Sequence, residues 1–138
     1  MELHIYHKEK PKKGGSKATM AIININHKGR VGINVILQRK LHLNPKDTLL
    51  IARDCDSRND WYLSFGTHLQ EGYALRFLSK NIPSKGMASN YGKIVINEIL
   101  ASVNATRSAS FYVALSNPKE VDGRTWYRIL TANPKSIR

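Results

Sequence analysis

The hexapeptide GRVGIN occupies residues 29–34, and the related hexapeptide GKIVIN occupies residues 92–97. The second differs from the first by three exchanges, Arg to Lys, Val to Ile and Gly to Val. Each ends in an Asn at a place where a helix is expected to begin, because an Asn side chain accepts hydrogen bonds from free amides of the first helical turn. The sequence therefore predicts Asn34 and Asn97 as the N-caps of two equivalent short helices.

The likeness continues beyond the hexapeptides, with shifts of one or two residues between apolar blocks. Residues 49–52 match residues 111–114, and Trp61 matches Trp126. Such shifts are typical of a duplicated unit, because connecting loops tolerate insertions better than packed elements do. The predicted organisation is one domain, residues 1–138, made of two repeats, residues 1–70 and residues 71–138.

Each repeat reads as strand, bend, strand, short helix, strand, loop and strand. Residues 21–26 combine β-branched residues with Asn, which is typical of a strand, and residues 44–47 (NPKD) are typical of a turn. Residues 72–80 and residues 3–6 are each predicted to form one further strand. The fold class that follows is mainly β with short helices, a β-rich α+β protein.

Residues 29–54, GRVGINVILQRKLHLNPKDTLLIARD, resemble the AbrB/SpoVT swapped-hairpin family. The family pattern is a Gly-Arg start with aliphatic residues and Ile-Pro, a short helix rich in Leu and Arg, a turn before Asp, and an aliphatic strand. Asn34 and Asn97 replace the Pro of the family, and Lys93 replaces its Arg in the second repeat. The positions that fit without a gap are Gly29, Arg30, Val31, Ile33, Leu37, Arg39, Leu41, Leu43, Lys46, Asp47, Leu49 and Ile51.

The resemblance implies a duplicated swapped-hairpin-like β-barrel, in which the second repeat serves as the partner of the first and makes an intramolecular pseudo-dimer. It also implies that basic residues near the Gly-Arg bend and on the helix are presented to DNA. Arg30 and Arg39 match the basic positions of the family, and Lys93 is a weaker counterpart. Lys28 beside the bend and Lys40 beside Arg39 complete this part of the predicted nucleic-acid-binding set.

The charge of the chain favours a polyanionic partner. Lys and Arg number 22 against 10 Asp and Glu, which gives a formal net charge of +12. Such an excess favours nucleic acid, because basic side chains release counterions from phosphates when they bind. A merely solvated basic surface and an anionic membrane are the alternatives, and no long basic amphipathic helix is visible to support the membrane.

Residues 8–17 form the densest basic stretch, with flexible glycines and no core residues. As an arm, this stretch would lie along phosphates through Lys12, Lys13 and Lys17, because phosphate contacts need charge without a fixed geometry. A solvated hairpin loop explains the same composition equally well.

The sequence carries no pattern typical of export or membrane insertion. No apolar run approaches the roughly 20 residues needed to cross a bilayer, and the start lacks the pattern of a secretory signal. The single Cys55 cannot form an internal disulfide, and its two Asp neighbours oppose thiolate formation. We therefore expect a cytoplasmic protein. No arrangement of residues typical of catalysis, metal binding or cofactor binding is present, so the chain is predicted not to be an enzyme and to carry no cofactor.

Three functions follow as alternatives. The first is a duplex DNA-binding protein, a transcriptional regulator or the DNA-binding part of an antitoxin, with DNA favoured over RNA and a homo-oligomer possible. The second is a single-stranded DNA or RNA binder that stacks bases on Trp61 and Trp126, in the manner of Whirly or PUR proteins. The matching positions of the two Trp residues favour core roles for both instead. The third is a protein-interaction module whose basic charge is incidental.

Overall fold

The computed structural model describes residues 20–56, 60–67 and 72–138, and the predicted strand at residues 3–6 lies outside these ranges. The described chain is mainly β with short helices, which confirms the predicted fold class. No helix in these ranges has the length and apolar character needed to span a membrane. The strands are β1 (Ile22–Asn26), β2 (Arg30–Ile33), β3 (Thr48–Arg53), β4 (Trp61–Gly66), β5 (Tyr73–Ala74), β6 (Arg76–Phe77), β7 (Met87–Asn90), β8 (Ser108–Val121), β9 (Arg124–Ile129) and β10 (Ser136–Ile137), and the helices are α1 (Val35–Lys40), α2 (Lys93–Ser102) and a 3-10 helix at Pro83–Lys85.

The strands form one antiparallel sheet that nearly closes into a barrel. Their order is β5–β3–β4–β9–β8–β1–β2–β7–β6, and β10 pairs with β8. Because Leu75 alone separates β5 from β6 in the chain, the two ends of this order meet there. The Leu75 amide donates to the Asp47 carbonyl at 2.8 Å, and the Leu75 carbonyl accepts from the Lys46 amide at 2.9 Å.

Alternate residues of the strands and one face of each helix fill the interior. In β8, Ala109, Phe111 and Val113 are buried while the residues between them are partly exposed, which is the period of two expected for a strand with one buried face. In α1 the buried residue is Leu37. The largest fully buried side chains are those of Trp61, Phe111, Ile23, Ile25, Ile33, Leu37, Leu49, Leu63, Met87, Ile96, Ile99 and Leu100.

The two hexapeptides adopt different structures. Residues 30–33 form β2, whereas Lys93 to Asn97 form the first half of α2. Ile96, Ile99 and Leu100 lie three and four residues apart and are buried, so a helix places all three on one face toward the core. The predicted N-cap role of Asn97 is therefore wrong. Asn97 is an exposed helical residue whose Nδ2 donates to the Lys93 carbonyl at 2.8 Å.

Gly29 and Gly86, and not Gly92, are the glycines that precede the two strands of the β2–β7 pair. Gly29 and Gly86 have positive φ angles of 92° and 99°, and each directly precedes one strand of the β2–β7 pair. In that pair Arg30 lies opposite Asn90, and Met87, which follows Gly86, lies opposite Ile33. Lys93 follows Gly92 at the start of α2, so it does not begin a strand as Arg30 does.

Trp61 and Trp126 also occupy different environments. Trp61 lies opposite Ile129 in the β4–β9 pair, whereas Trp126 lies opposite Lys119 in the β8–β9 pair. Trp61 is 2% exposed and belongs to the core, whereas Trp126 is half-buried and lies outside it. The predicted core role is confirmed for Trp61 and wrong for Trp126.

The predicted cap at Asn34 is confirmed, and the same side chain also holds the chain before β1. Its Oδ1 accepts from the Leu37 amide at 3.0 Å, which caps α1, and from the Ile22 amide at 3.1 Å. Its Nδ2 donates to the Met20 carbonyl at 2.8 Å. One amide side chain thus joins the start of α1 to the chain before β1.

We expect Asn34→Ala to lower the free energy of unfolding by about 2 kcal/mol, because it removes a cap and leaves backbone groups without their partner. Asn34→Asp should cost about 1 kcal/mol, since it keeps the acceptor and loses the donor. The matched control is Asn97→Ala, an exposed helical site where the change should stay within about 0.5 kcal/mol. Urea denaturation of the three variants measures the differences, and equal losses for Asn34→Ala and Asn97→Ala would contradict the assignment.

Candidate nucleic-acid interface

The β1–β2 bend is shaped by one Asn side chain. Asn26 Oδ1 accepts from the Lys28 amide at 3.0 Å and from the Arg30 amide at 3.2 Å. Both basic side chains are exposed on either side of the buried Gly29. The His27 amide donates to the Arg107 carbonyl at 2.8 Å, which ties the bend to the residue that precedes β8.

Lys93 lies beside this bend. The Tyr91 amide donates to the Gly29 carbonyl at 2.6 Å, and a Cβ placed on Gly29 would lie 3.3 Å from Lys93 Cγ. The Tyr91 hydroxyl accepts from the Ile51 amide at 2.8 Å, and burial of the ring raises the pKa of Tyr91. These contacts fix the chain at the start of α2. The structure therefore brings the predicted residues Lys28, Arg30 and Lys93 together at one end of β2.

Arg39 and Lys40 lie elsewhere. Both are exposed in the last turn of α1. This helix starts at the other end of β2, and at the usual rise per strand residue its start is about 13 Å from Arg30. Leu43, just beyond this helix, lines a cleft with Tyr127 of β9. The structure thus separates these two predicted residues from the bend. Lys12, Lys13 and Lys17 lie outside the described residues.

A shallow polar cleft of about 460 Å³ adjoins Arg30 on the outer side of the barrel. Gly32 of β2 lies opposite Asn24 of β1, Asn24 lies opposite Ser110 of β8, and Ser110 lies opposite Ser136 of β10. Directly opposite residues share one face of a sheet, so small polar groups cover this face from strand to strand. The Ser110 hydroxyl donates to Asn24 Oδ1.

Arginines border this surface on several sides. On the other side of Gly32 the same row continues through Ala88 of β7 to Arg76 of β6. Arg30 and Arg138 line the cleft, and all three arginines are exposed. We call this surface the polar face; it comprises Asn24, Asn26, Arg30, Gly32, Arg76, Ser108, Ser110, Ser136 and Arg138.

Within residues 20–56, 60–67 and 72–138, no acidic residue lines the cleft of the polar face. Two described carboxylates lie near arginines that do not line this cleft. Asp60 accepts from Arg128 at 2.8 Å, and Glu98 lies 3.9 Å from Arg53. Arg30 and Arg138 form no ion pair with any described residue, so their charges face solvent.

The sequence-based set included only Arg30 of this surface, and the structure adds eight residues to it. The signal was present in part: the alternation in IININ and in SASFYV places Asn24 and Ser110 on the face opposite to the apolar residues. The sequence of a single strand does not show which strands will be its neighbours. It therefore does not show that the polar residues of these strands will form one continuous row. The residues missed are Asn24, Asn26, Gly32, Arg76, Ser108, Ser110, Ser136 and Arg138.

No group of three or more His, Cys, Asp or Glu side chains in the described part of the chain is arranged to hold a metal ion. Comparison with protein-family models, with curated proteins and with solved structures finds no match to this chain.

Proposed function

We propose that this protein binds nucleic acid through the polar face and the adjoining bend, with duplex DNA as the favoured target. The observation that carries the proposal is the cleft bordered by Arg30 and Arg138, where the described lining residues include small polar side chains and none that is acidic. One guanidinium group can donate to two phosphate oxygens at once, and Asn and Ser side chains hydrogen-bond to the phosphate backbone. The net charge of +12 supports the same partner.

The shape of the polar face favours a duplex over a single strand. It extends across β6, β7, β2, β1, β8 and β10, about 24 Å at the usual spacing between strands. Among the described residues that line its cleft none is aromatic, so this part of the surface offers phosphate contacts and no stacking of bases. A duplex, with one charge per about 1.7 Å of its axis, matches such a surface.

The resemblance to the AbrB/SpoVT family adds the proposed biological role, a transcriptional regulator or the DNA-binding part of an antitoxin. It also suggests that the barrel is a duplicated swapped-hairpin unit, an intramolecular pseudo-dimer. Three relations of the strands support duplication. Exchanging the two halves of the chain puts β2 in the place of β7 and β4 in the place of β9. It also puts β1, which pairs with β2 and β8, in the place of the β5–β6 segment, which pairs with β7 and β3. If β4 and β9 are exchanged about the Tyr62–Arg128 pair, the registers of β3–β4 and β8–β9 make Leu49 correspond to Phe111. This correspondence agrees with the match of residues 49–52 to residues 111–114.

The proposed function is tested by competition between a duplex and a single-stranded oligonucleotide of equal charge, followed by fluorescence anisotropy over a salt series. We expect the duplex to bind more tightly, and log affinity to fall with log salt at a slope of roughly −3 to −5, since each phosphate contact contributes about 0.9. Absence of binding at low salt, or a slope near zero, would contradict the proposal and favour an interaction module.

A second candidate, a single-strand binder, has its own supporting observation. Trp126 is half-buried outside the core, beside Tyr62 and Lys119. Preference for the single strand in the same competition would select this function.

A further inference from the structure

A second cleft lies where the β8–β9 hairpin leaves the barrel. The register of these strands shifts between Ala114 and Lys119, and such an irregularity bends a hairpin. Lys119 then reaches the Tyr62 ring of β4, with Nζ 5.0 Å from the ring centroid. We call this site the aromatic cleft; it encloses about 370 Å³, and its lining includes Arg53, Asp54, Tyr62, Lys119, Val121 and Trp126.

One wall of the aromatic cleft is flat and apolar. Trp126 lies directly opposite Lys119 in the hairpin, and Val121 is 51% exposed although it is aliphatic. A partly exposed indole beside an exposed aliphatic group offers a face on which a planar ring can stack.

The other wall carries donors with positive charge. The Arg53 guanidinium lies 4.2 Å from the Trp61 ring centroid, and its Nε is buried with no acceptor among the described residues. The Arg53 side chain is 31% exposed and lines the cleft, so a ligand oxygen can reach the exposed part of its guanidinium. A side-chain hydrogen bond with Tyr62 raises the pKa of Lys119.

The carboxylates near the cleft are engaged by other groups. Asp54 Oδ1 accepts from the Asp56 amide at 2.8 Å, and Asp60 accepts from Arg128 at 2.8 Å. The Arg128 guanidinium balances the charge of Asp60, whereas the Asp56 amide gives Asp54 a hydrogen bond and leaves its charge. An anionic group near Arg53 and Lys119 therefore meets two cations, of which Arg53 also has the Glu98 carboxylate at 3.9 Å.

We propose that the aromatic cleft binds a nucleobase together with its phosphate, with the base stacked on Trp126 and Val121 and the phosphate oxygens on Arg53 and Lys119. The inference rests on the proposed function, because the ligand is a component of nucleic acid. A free mononucleotide and an unpaired base within a strand share this chemistry. The site is separate from the polar face, so a protein with both would hold paired and unpaired segments at different surfaces.

The test uses the full chain with Trp61→Phe, which leaves Trp126 as the single tryptophan. Its fluorescence is followed during titration with deoxyadenosine monophosphate, with a single-stranded oligodeoxyadenylate and with a blunt duplex. We expect the mononucleotide and the single strand to quench Trp126 and the duplex to leave it unchanged. Comparable affinity for the mononucleotide and the strand identifies a free nucleotide as the ligand, whereas much tighter binding of the strand identifies an unpaired base.

Two substitutions separate stacking from general charge. Trp126→Ala should weaken single-strand binding by roughly 5- to 100-fold, and Trp126→Phe, which keeps an aromatic ring, should retain most of the affinity. Arg30→Glu should leave quenching by the mononucleotide unchanged while it weakens the duplex. If neither mononucleotide nor strand quenches Trp126, or if Trp126→Ala and Trp126→Phe bind the strand equally, the aromatic cleft is not a base site. Duplex affinity, measured in parallel, then reports on the polar face alone.

Discussion

Gly29→Ala and Gly86→Ala should each lower the free energy of unfolding by about 2–4 kcal/mol, through backbone strain together with steric overlap. Both positions have positive φ, which an Ala side chain adopts at a cost. A Cβ on Gly29 would lie 2.6 Å from the Tyr91 carbonyl oxygen, and a Cβ on Gly86 would overlap the Ile33 carbonyl oxygen. Backbone atoms of a closed sheet cannot move aside as a flexible side chain can. Guanidinium denaturation followed by circular dichroism measures both losses.

Gly123→Ala is the matched control for this prediction. Gly123 also has a positive φ, 78°, but a Cβ placed there would meet no atom within 4 Å. It should therefore show only the conformational cost, about 1 kcal/mol. If the free energy of unfolding falls equally in all three variants, the close approach of the backbone at Gly29 and Gly86 does not explain the need for glycine there.

The double variant Arg30→Glu with Arg138→Glu should weaken duplex binding by about 100-fold and reduce the salt slope by about 2, because two phosphate contacts become repulsive. Both side chains are exposed and have no ion-pair partner among the described residues, so the fold should be unaffected. Fluorescence anisotropy with a labelled duplex gives the affinity, and thermal unfolding by circular dichroism checks that the variant is folded.

The control for this experiment carries an equal change of charge at a different place. Arg39→Glu with Lys40→Glu reverses two exposed cations at the end of α1, away from the polar face. It should weaken duplex binding several-fold less than the Arg30→Glu with Arg138→Glu variant does, because it acts through long-range electrostatics alone. Equal weakening by the two double variants would place DNA on α1 as well, as the family resemblance implies, and would contradict the polar face as the principal site.

Much of the local structure was predictable from short stretches. The strand at residues 21–26, the cap at Asn34 and the turn at residues 44–47 all formed as predicted. Each depends on residues a few positions apart: alternation that buries one face, an amide that reaches the first helical turn, and a Pro with a preset dihedral. The predicted bend placed Lys28 and Arg30 correctly for the same reason.

The outcome differed where two structures fit the same residues. The β-branched residues of GKIVIN are typical of a strand. Burying Ile96, Ile99 and Leu100 together nevertheless requires a helix. The strand next to β2 is formed by Met87–Asn90 instead. Similar letters at an offset of 63 residues therefore did not identify equivalent positions.

Alternation within each strand was enough to place Asn24 and Ser110 on an outward face, because side-chain direction in a strand depends on the backbone of that strand alone. Joining them to Ser136, Arg76 and Arg138 required strands that are far apart in sequence to pair in one register. That pairing is decided by packing of the whole core and by hydrogen bonds over many intervening residues. The separation of Arg39 from Arg30, and the half-buried position of Trp126 in contrast to the buried Trp61, have the same origin.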